Sequence, residues 1–393
     1  MSSSAASHPT LSFRLLVILL LAFSVLAGCG SSSDTAAPVP AANELRLTVD
    51  RGPGSGFNSP VASVTVCVPG TSDCRTIDRV LVDTGSFGLR LTASALGSAL
   101  TLPAVSTAAG AAAECAHFAD GYVWGSVRRA DVQLSGEVAA NLPIQVIGDP
   151  AAPYATVPTP CSNSGPDFGA RLGANGILGV GLFNQDCPAC AASAAPAVYF
   201  ACTGGGCPAA PMPLALQVAN PVPAFAADNN GVVVALPEVP AGGVTTLAGS
   251  LFFGIGTQPN NQLGSVTVYT TDSNGNFTTI YKGASLTSFL DTGSNAIFFN
   301  DPAIPQCLSF YCPASSLTLS AVNVSAGGVS GTVSFTVEST ASLVSGVSAA
   351  HVGADAGMGR TFDWGLPFFF GRKVFVAISG ASTSKGPGPY WAY

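Results

Sequence analysis

Val80-Leu81-Val82-Asp83-Thr84-Gly85-Ser86-Phe87-Gly88-Leu89 and Ser288-Phe289-Leu290-Asp291-Thr292-Gly293-Ser294-Asn295-Ala296-Ile297 are two versions of one pattern. In each, an apolar run enters D-T-G-S and an apolar run leaves it. A second echo lies downstream of each copy, Gly176-Ile177-Leu178-Gly179 in the first half and Asp363-Trp364-Gly365-Leu366 in the second. A lone D-T-G is ordinarily a turn between strands, with the Asp side chain capping its own backbone. Repetition of the whole pattern implies two similar lobes.

The surroundings are strand-like. Short runs rich in Val, Thr, Ile and Phe recur between Gly, Pro, Asn and Asp clusters, at residues 61–68, 77–82, 127–134, 232–236, 266–271, 329–337 and 373–378. These are strand and hairpin signals, and no long stretch carries a helical period. Gly (45) and Pro (29) are scattered without a collagen-like repeat, which suits many turns between strands. The chain of 393 residues is long enough for two domains or one large all-β unit. With 9 % charged residues against 48 % hydrophobic it is not a disordered polyelectrolyte. A net charge of −7 without basic runs argues against nucleic acid as a partner.

An Asp at the end of a buried strand, followed by Thr and Gly, presents a carboxylate on a tight turn that backbone N–H groups can approach. One such site is an acid on a loop. Two of them, brought together from two lobes, cannot both ionise, so they share a proton and titrate as a unit. Water between them can lose a proton to one member while the other protonates a carbonyl oxygen. That chemistry calls for no metal and no cofactor.

On these motifs residues 45–393 resemble the pepsin-like aspartic proteases. The resemblance implies an all-β, bilobal pepsin-like fold with a cleft between the lobes, and Asp83 and Asp291 as the catalytic pair. It implies that Thr84 and Thr292 brace the two loops and that Ser86 and Ser294 hydrogen-bond the outer carboxylate oxygens, with Gly85 and Gly293 completing the loops. The segment from Phe118 through Gly121 and Tyr122 to Gly125 is similar to the flap that closes over substrate. Departures are visible: the flap position usually held by Tyr is Phe118, and the aromatic usually found past the first loop is Arg90. The hydrogen bond joining those positions in the family is therefore missing, with Tyr122 and Trp124 as candidate replacements. Leu366 follows Gly365 where many relatives have Asp, and no propeptide of family size fits between Cys29 and Leu45.

Export is written at the start of the chain. Arg14 precedes the apolar run 15–25, too short to span as a mature helix, and Leu26-Ala27-Gly28-Cys29 resembles a bacterial lipobox. The resemblance implies cleavage before Cys29 and lipidation of its sulfur; Gly30 in place of Asp implies the outer membrane, facing periplasm or exterior. Residues 1–28 are then a signal, 29–44 a lipidated Cys and flexible tether, 45–213 a first lobe with flap and Cys-rich insertion, and 214–393 a second lobe. Of 11 cysteines, ten remain for an oxidising compartment. Spacing suggests the pairs Cys67 with Cys74, Cys202 with Cys207 and Cys307 with Cys312, leaving Cys115, Cys161, Cys187 and Cys190 unassigned. A zinc knuckle of Cys187, Cys190, Cys202 and Cys207 is the rival for part of that set.

Other catalytic patterns are poorly supplied. There is no G-x-S-x-G and no H-E-x-x-H, and His8, His117 and His351 are solitary. Gly179-Val180-Gly181 lacks the third glycine of a dinucleotide loop, Gly204-Gly205-Gly206 reads as a turn, and Phe368 to Phe370 read as a core strand. The expected protein is a monomeric, lipid-anchored aspartic endopeptidase taking an extended peptide of about six to eight residues. The alternative is an inactive pepsin-like lipoprotein that binds peptide or another envelope component.

Overall fold

Alternation sets the first strand: along Glu44–Asp50 the side chains of Leu45, Leu47 and Val49 are buried while Arg46 and Thr48 face outward. That period of two is what a half-covered strand requires. The structure, a computed structural model, describes residues 41–393 apart from 53–55, 241, 343–347, 356 and 358. The expected export signal, Cys29 and residues 30–40 of the tether lie outside the described residues. Asn43 and Glu44, assigned to the tether, belong to the fold instead. Asn43 is buried, its side-chain amide donating to Phe253 O at 3.0 Å, and Glu44 opens the first strand opposite Phe252.

The architecture is all-β and two-lobed, as expected, built on a 15-stranded and a nine-stranded sheet. Among the described residues the α-helices, Ala93–Leu96 and Thr159–Ser162, have four residues each, and no helix is long and apolar enough to cross a membrane. The larger sheet carries the strands of the first half. It continues through Glu44–Asp50 into Leu247–Phe253, Gly231–Leu236, Arg372–Ala377 and Tyr390–Ala392. Ladder hydrogen bonds therefore join the two halves of the chain.

The repeat read in the sequence is a repeat of topology. In the first half Cys74–Asp83 pairs in parallel with Gly176–Val180, Asp83 opposite Gly179, and Phe87–Thr92 returns antiparallel along the other side of that strand. In the second half Ala284–Asp291 pairs in parallel with Thr361–Gly365, Asp291 opposite Gly365, and Ile297–Phe298 returns antiparallel beside it. Each D-T-G-S is the loop that carries the chain across a central strand.

Packing under the first loop uses Val80, Val82, Leu89, Leu91, Leu178 and Val180, all fully buried. Under the second it uses rings: Phe362 lies 5.1 Å from Phe299 and 4.5 Å from Trp364, which is 5.2 Å from Phe368. Burying each such side chain contributes about 1.5–3 kcal/mol.

Two local expectations are corrected. Phe368 to Phe370 are core residues, but Leu366–Phe369 is a 3₁₀ turn rather than a strand, because Pro367 has no N–H to give to a ladder. The Cys-rich segment near 184–213 is more than a connection: within it Tyr199–Cys202 adds an edge strand to Gly110–Phe118. Five disulfides are present among the described residues. Cys67–Cys74, Cys202–Cys207 and Cys307–Cys312 pair as spacing suggested, and Cys115–Cys161 and Cys187–Cys190 complete the set. The four sulfurs of the rival zinc knuckle are thus taken up in two disulfides.

Candidate functional site

The two D-T-G-S loops meet tip to tip. Thr84 N donates to Thr292 Oγ1 at 3.0 Å and Thr292 N donates to Thr84 Oγ1 at 3.0 Å. Each hydroxyl in turn donates across to the opposite strand, Thr84 Oγ1 to Leu290 O at 3.0 Å and Thr292 Oγ1 to Val82 O at 2.7 Å. Both threonines are buried, so four polar groups that would otherwise be unsatisfied are paired reciprocally between lobes.

This brace places Asp83 and Asp291 side by side. Gly85 N donates to Asp83 Oδ1 at 2.8 Å, and Gly293 N to Asp291 Oδ1 at 2.7 Å. Glycine is required at both positions by proximity. A Cβ on Gly85 would lie 2.7 Å from Asp291 Cγ, and a Cβ on Gly293 would lie 2.8 Å from Asp83 Oδ1 and 3.1 Å from Asp291 Oδ1. On the outer oxygens, Ser86 Oγ bonds Asp83 Oδ2, and Ser294 Oγ bonds Asp291 Oδ2 at 2.8 Å. Thr84, Gly85, Ser86, Thr292, Gly293 and Ser294 thus all contact the pair or brace its loops.

Burial, the charge of Asp83 and then that of Asp363 push the Asp291 carboxyl well above the ordinary range, and it hydrogen-bonds to Asp83. Two carboxyls that share a proton this way can hold a water as general base and general acid at once.

A cleft of about 620 Å³ opens over Asp291, Gly293 and Ser294. The hairpin of Gly110–Phe118 and Gly121–Leu134 reaches it through the turn residues Ala119 and Asp120. The three flap residues singled out in the sequence sit elsewhere. Gly121 opens the returning strand with a positive φ of 137°, close against Pro166 O. Tyr122 is buried within the first lobe beside Cys115 and Cys161, and Phe118 packs on Phe168 with 5.7 Å between ring centroids. Neither candidate replaces the missing flap hydrogen bond, since the Trp124 indole donates to Tyr154 O at 2.8 Å and Tyr122 faces inward. The Arg90 guanidinium instead lies 5.7 Å from the Phe118 ring centroid, a cation–π contact in the same place.

Arg90 anchors a network that sequence reasoning missed. It is buried, its Nη2 lies 2.7 Å from Glu114 Oε1 and 2.9 Å from Asp186 Oδ2, and its Nη1 donates to Phe87 O at 2.8 Å. The Tyr199 hydroxyl donates to Asp186 Oδ1 at 2.8 Å. Burial, partly offset by Arg90, holds Glu114 well above the ordinary carboxylate range. The flap strand, the strand leaving the first loop and the Cys187–Cys190 segment are tied at one point. Asp363 was also missed as a site residue: Ser294 Oγ lies 2.6 Å from its Oδ2. Its signal was a lone acid between the large apolar residues Phe362 and Trp364 of the Thr361–Gly365 strand.

Residues 39–393 match the model of a family described as "Protein of unknown function (DUF3443)", and the chain belongs to that family. Among solved structures, the crystal structure of aspartic proteinase from Irpex lacteus aligns at 17 % identity over 90 % of this chain and 96 % of that one, with a TM-score of 0.47. No curated protein matches the chain.

Proposed function

Starting from that family membership, we propose that the chain is an aspartic endopeptidase, held on the cell envelope by a lipid on Cys29. The observation that carries the reading is the Thr84–Thr292 brace, which sets Asp83 beside Asp291, and Asp291 lines a cleft that the hairpin turn at Ala119 and Asp120 also lines. Asp291 keeps the shared proton. Asp83 takes a proton from the bound water as the water oxygen bonds to the peptide carbonyl carbon, while Asp291 gives its proton to the carbonyl oxygen. Asp83 then protonates the amide nitrogen, the C–N bond breaks, and a proton from the diol returns to Asp291. Gly85, Gly293 and the two serines hold the carboxylates through both steps without reorganisation.

The partner is an extended peptide or unfolded protein segment bound by a monomer. The pairing of ten cysteines supports an oxidising compartment, consistent with the outer membrane and the periplasm or exterior. Asp83→Ala is expected to abolish cleavage of denatured casein while circular dichroism and thermal melting stay close to wild type. Unchanged cleavage would sink the assignment. A statine-type peptide should bind more tightly than the matching plain peptide, because it mimics the tetrahedral state. Equal binding of both would mark the cleft as a non-catalytic peptide site instead.

A further inference from the structure

We propose that Asp363 is a third carboxyl of the pair's hydrogen-bond network, a positioning residue that, while protonated, directs the Ser294 hydroxyl onto the outer oxygen of Asp291. The inference rests on the endopeptidase reading for its catalytic consequence, and on geometry for the rest.

Ser294 Oγ stands between two carboxyls, 2.8 Å from Asp291 Oδ2 and 2.6 Å from Asp363 Oδ2. A hydroxyl has one hydrogen, so it cannot donate to both. If Ser294 donates to Asp291, the contact with Asp363 is a hydrogen bond only when Asp363 is the donor. The surroundings of Asp363 agree. It is 2 % exposed, and its Oδ1 has no hydrogen-bond partner among the described residues. The carboxyls coupled to it electrostatically are Asp83 and Asp291, and the ionisable groups elsewhere on the cleft wall are Arg51, Asp120 and Asp355. An anion there would be buried with a single donor beside a pair that already carries negative charge. A neutral acid fits: O–H to Ser294, and Ser294 O–H to Asp291. Burial and then the charge of Asp83, opposed by the Ser294 hydrogen bond, push the Asp363 carboxyl up to about 8.

The consequence falls on the general acid. When Asp291 gives its proton to the substrate oxygen it becomes a carboxylate, and the Ser294 hydrogen stabilises that state. Ionised Asp363 would draw the same hydrogen to itself and add a second negative charge, so turnover should fall as pH rises through about 8. The first lobe has no such arm, because the residue two before Gly179 is Ile177.

The test is Asp363→Asn, whose amide can still donate to Ser294 but does not titrate. Between pH 7 and pH 9 its kcat on denatured casein should lose about tenfold less than that of wild type, with KM following the same course in both, the difference expected when a hydrogen bond to a charged group is withdrawn. Coincident pH profiles would overturn the proposal. Carbon-13 carboxyl NMR of Asp-labelled protein decides independently of turnover. Wild type should show a carboxyl titrating near 8 that vanishes in the variant, with the Asp291 midpoint moving down. Persistence of that resonance in Asp363→Asn, or an unmoved Asp291, would overturn it. If wild type cleaves nothing the endopeptidase reading falls, and the NMR titration still judges the placement of the proton.

Discussion

Two cross-strand pairs, one beside each D-T-G-S loop, show how far the lobes have diverged. In the first lobe Arg90 sits opposite Ile177; in the second, Phe298 sits opposite Asp363. Both pairs lie on the same two strands of the same topological unit, yet the ionisable group is on opposite strands, a base in one lobe and an acid in the other. Arg90 turns away from the carboxyl pair toward Glu114, Asp186 and the flap ring of Phe118, whereas Asp363 turns toward it through Ser294. Topology and the threonine brace are nearly symmetric. Electrostatics is not: one lobe uses a buried cation to hold the hairpin strand Gly110–Phe118, and the other a buried acid to hold a D-T-G-S loop.

The largest break in this comparison is expected from Arg90→Met. Removing the cation leaves Glu114 buried and Asp186 half-buried without their partner, and breaking a buried ion pair from one side costs about 3–5 kcal/mol. Urea unfolding should show that loss. Arg90→Met combined with Glu114→Gln should recover part of it, whereas simple additivity of the two changes would show that the pair is not coupled. Phe298→Leu, at the matching position in the second lobe, should cost less than half as much.

At the brace the lobes should behave alike. Thr84→Val and Thr292→Val each remove a hydroxyl that accepts one backbone N–H and donates to one carbonyl. Leaving those groups unpaired costs about 2–4 kcal/mol in either variant. The two losses should agree within about 1 kcal/mol in parallel thermal or urea melts. A larger gap would mean that one loop carries the interface alone.

The part of the molecule legible in the sequence is the part governed by short-range pattern. Strand runs, the D-T-G-S turns and disulfides closing short loops follow from alternation, Gly placement and Cys spacing, and Gly179 and Gly365 marked the central strands correctly. What escaped depends on register between distant segments. Arg90 meets Asp186 and Glu114 only because three separate strands and loops converge, and Asp363 reaches Ser294 only because its strand runs parallel to the one ending at Asp291. Tyr122 shows the same limit in reverse, since strand pleating puts its ring inside the lobe while its neighbours at the hairpin tip face the cleft. Pro367 was in plain view, and its missing N–H was reason enough to doubt a strand at Phe368.

The smallest expected effect is also the sharpest comparison, between Ser86→Ala and Ser294→Ala. Ser86 serves one carboxyl and Ser294 serves two. Loss of the Ser294 hydroxyl removes the donor that turns to Asp363 once it ionises, the interaction that lowers Asp363, whose folded-state value is already raised by burial to about 8. A carboxyl raised in the folded state contributes stability that is complete below its unfolded value of 3.8 and is lost as pH rises through its folded value. Raising that value further prolongs the loss. The deficit of Ser294→Ala relative to wild type should therefore widen by about 1 kcal/mol between pH 7 and pH 9, one pKa unit being worth about 1.4 kcal/mol. Ser86→Ala should show a deficit that is flat over the same interval, because no second carboxyl hangs on that hydroxyl. Urea midpoints at three pH values suffice to measure both slopes, and parallel slopes would mean that the third carboxyl does not distinguish the two loops.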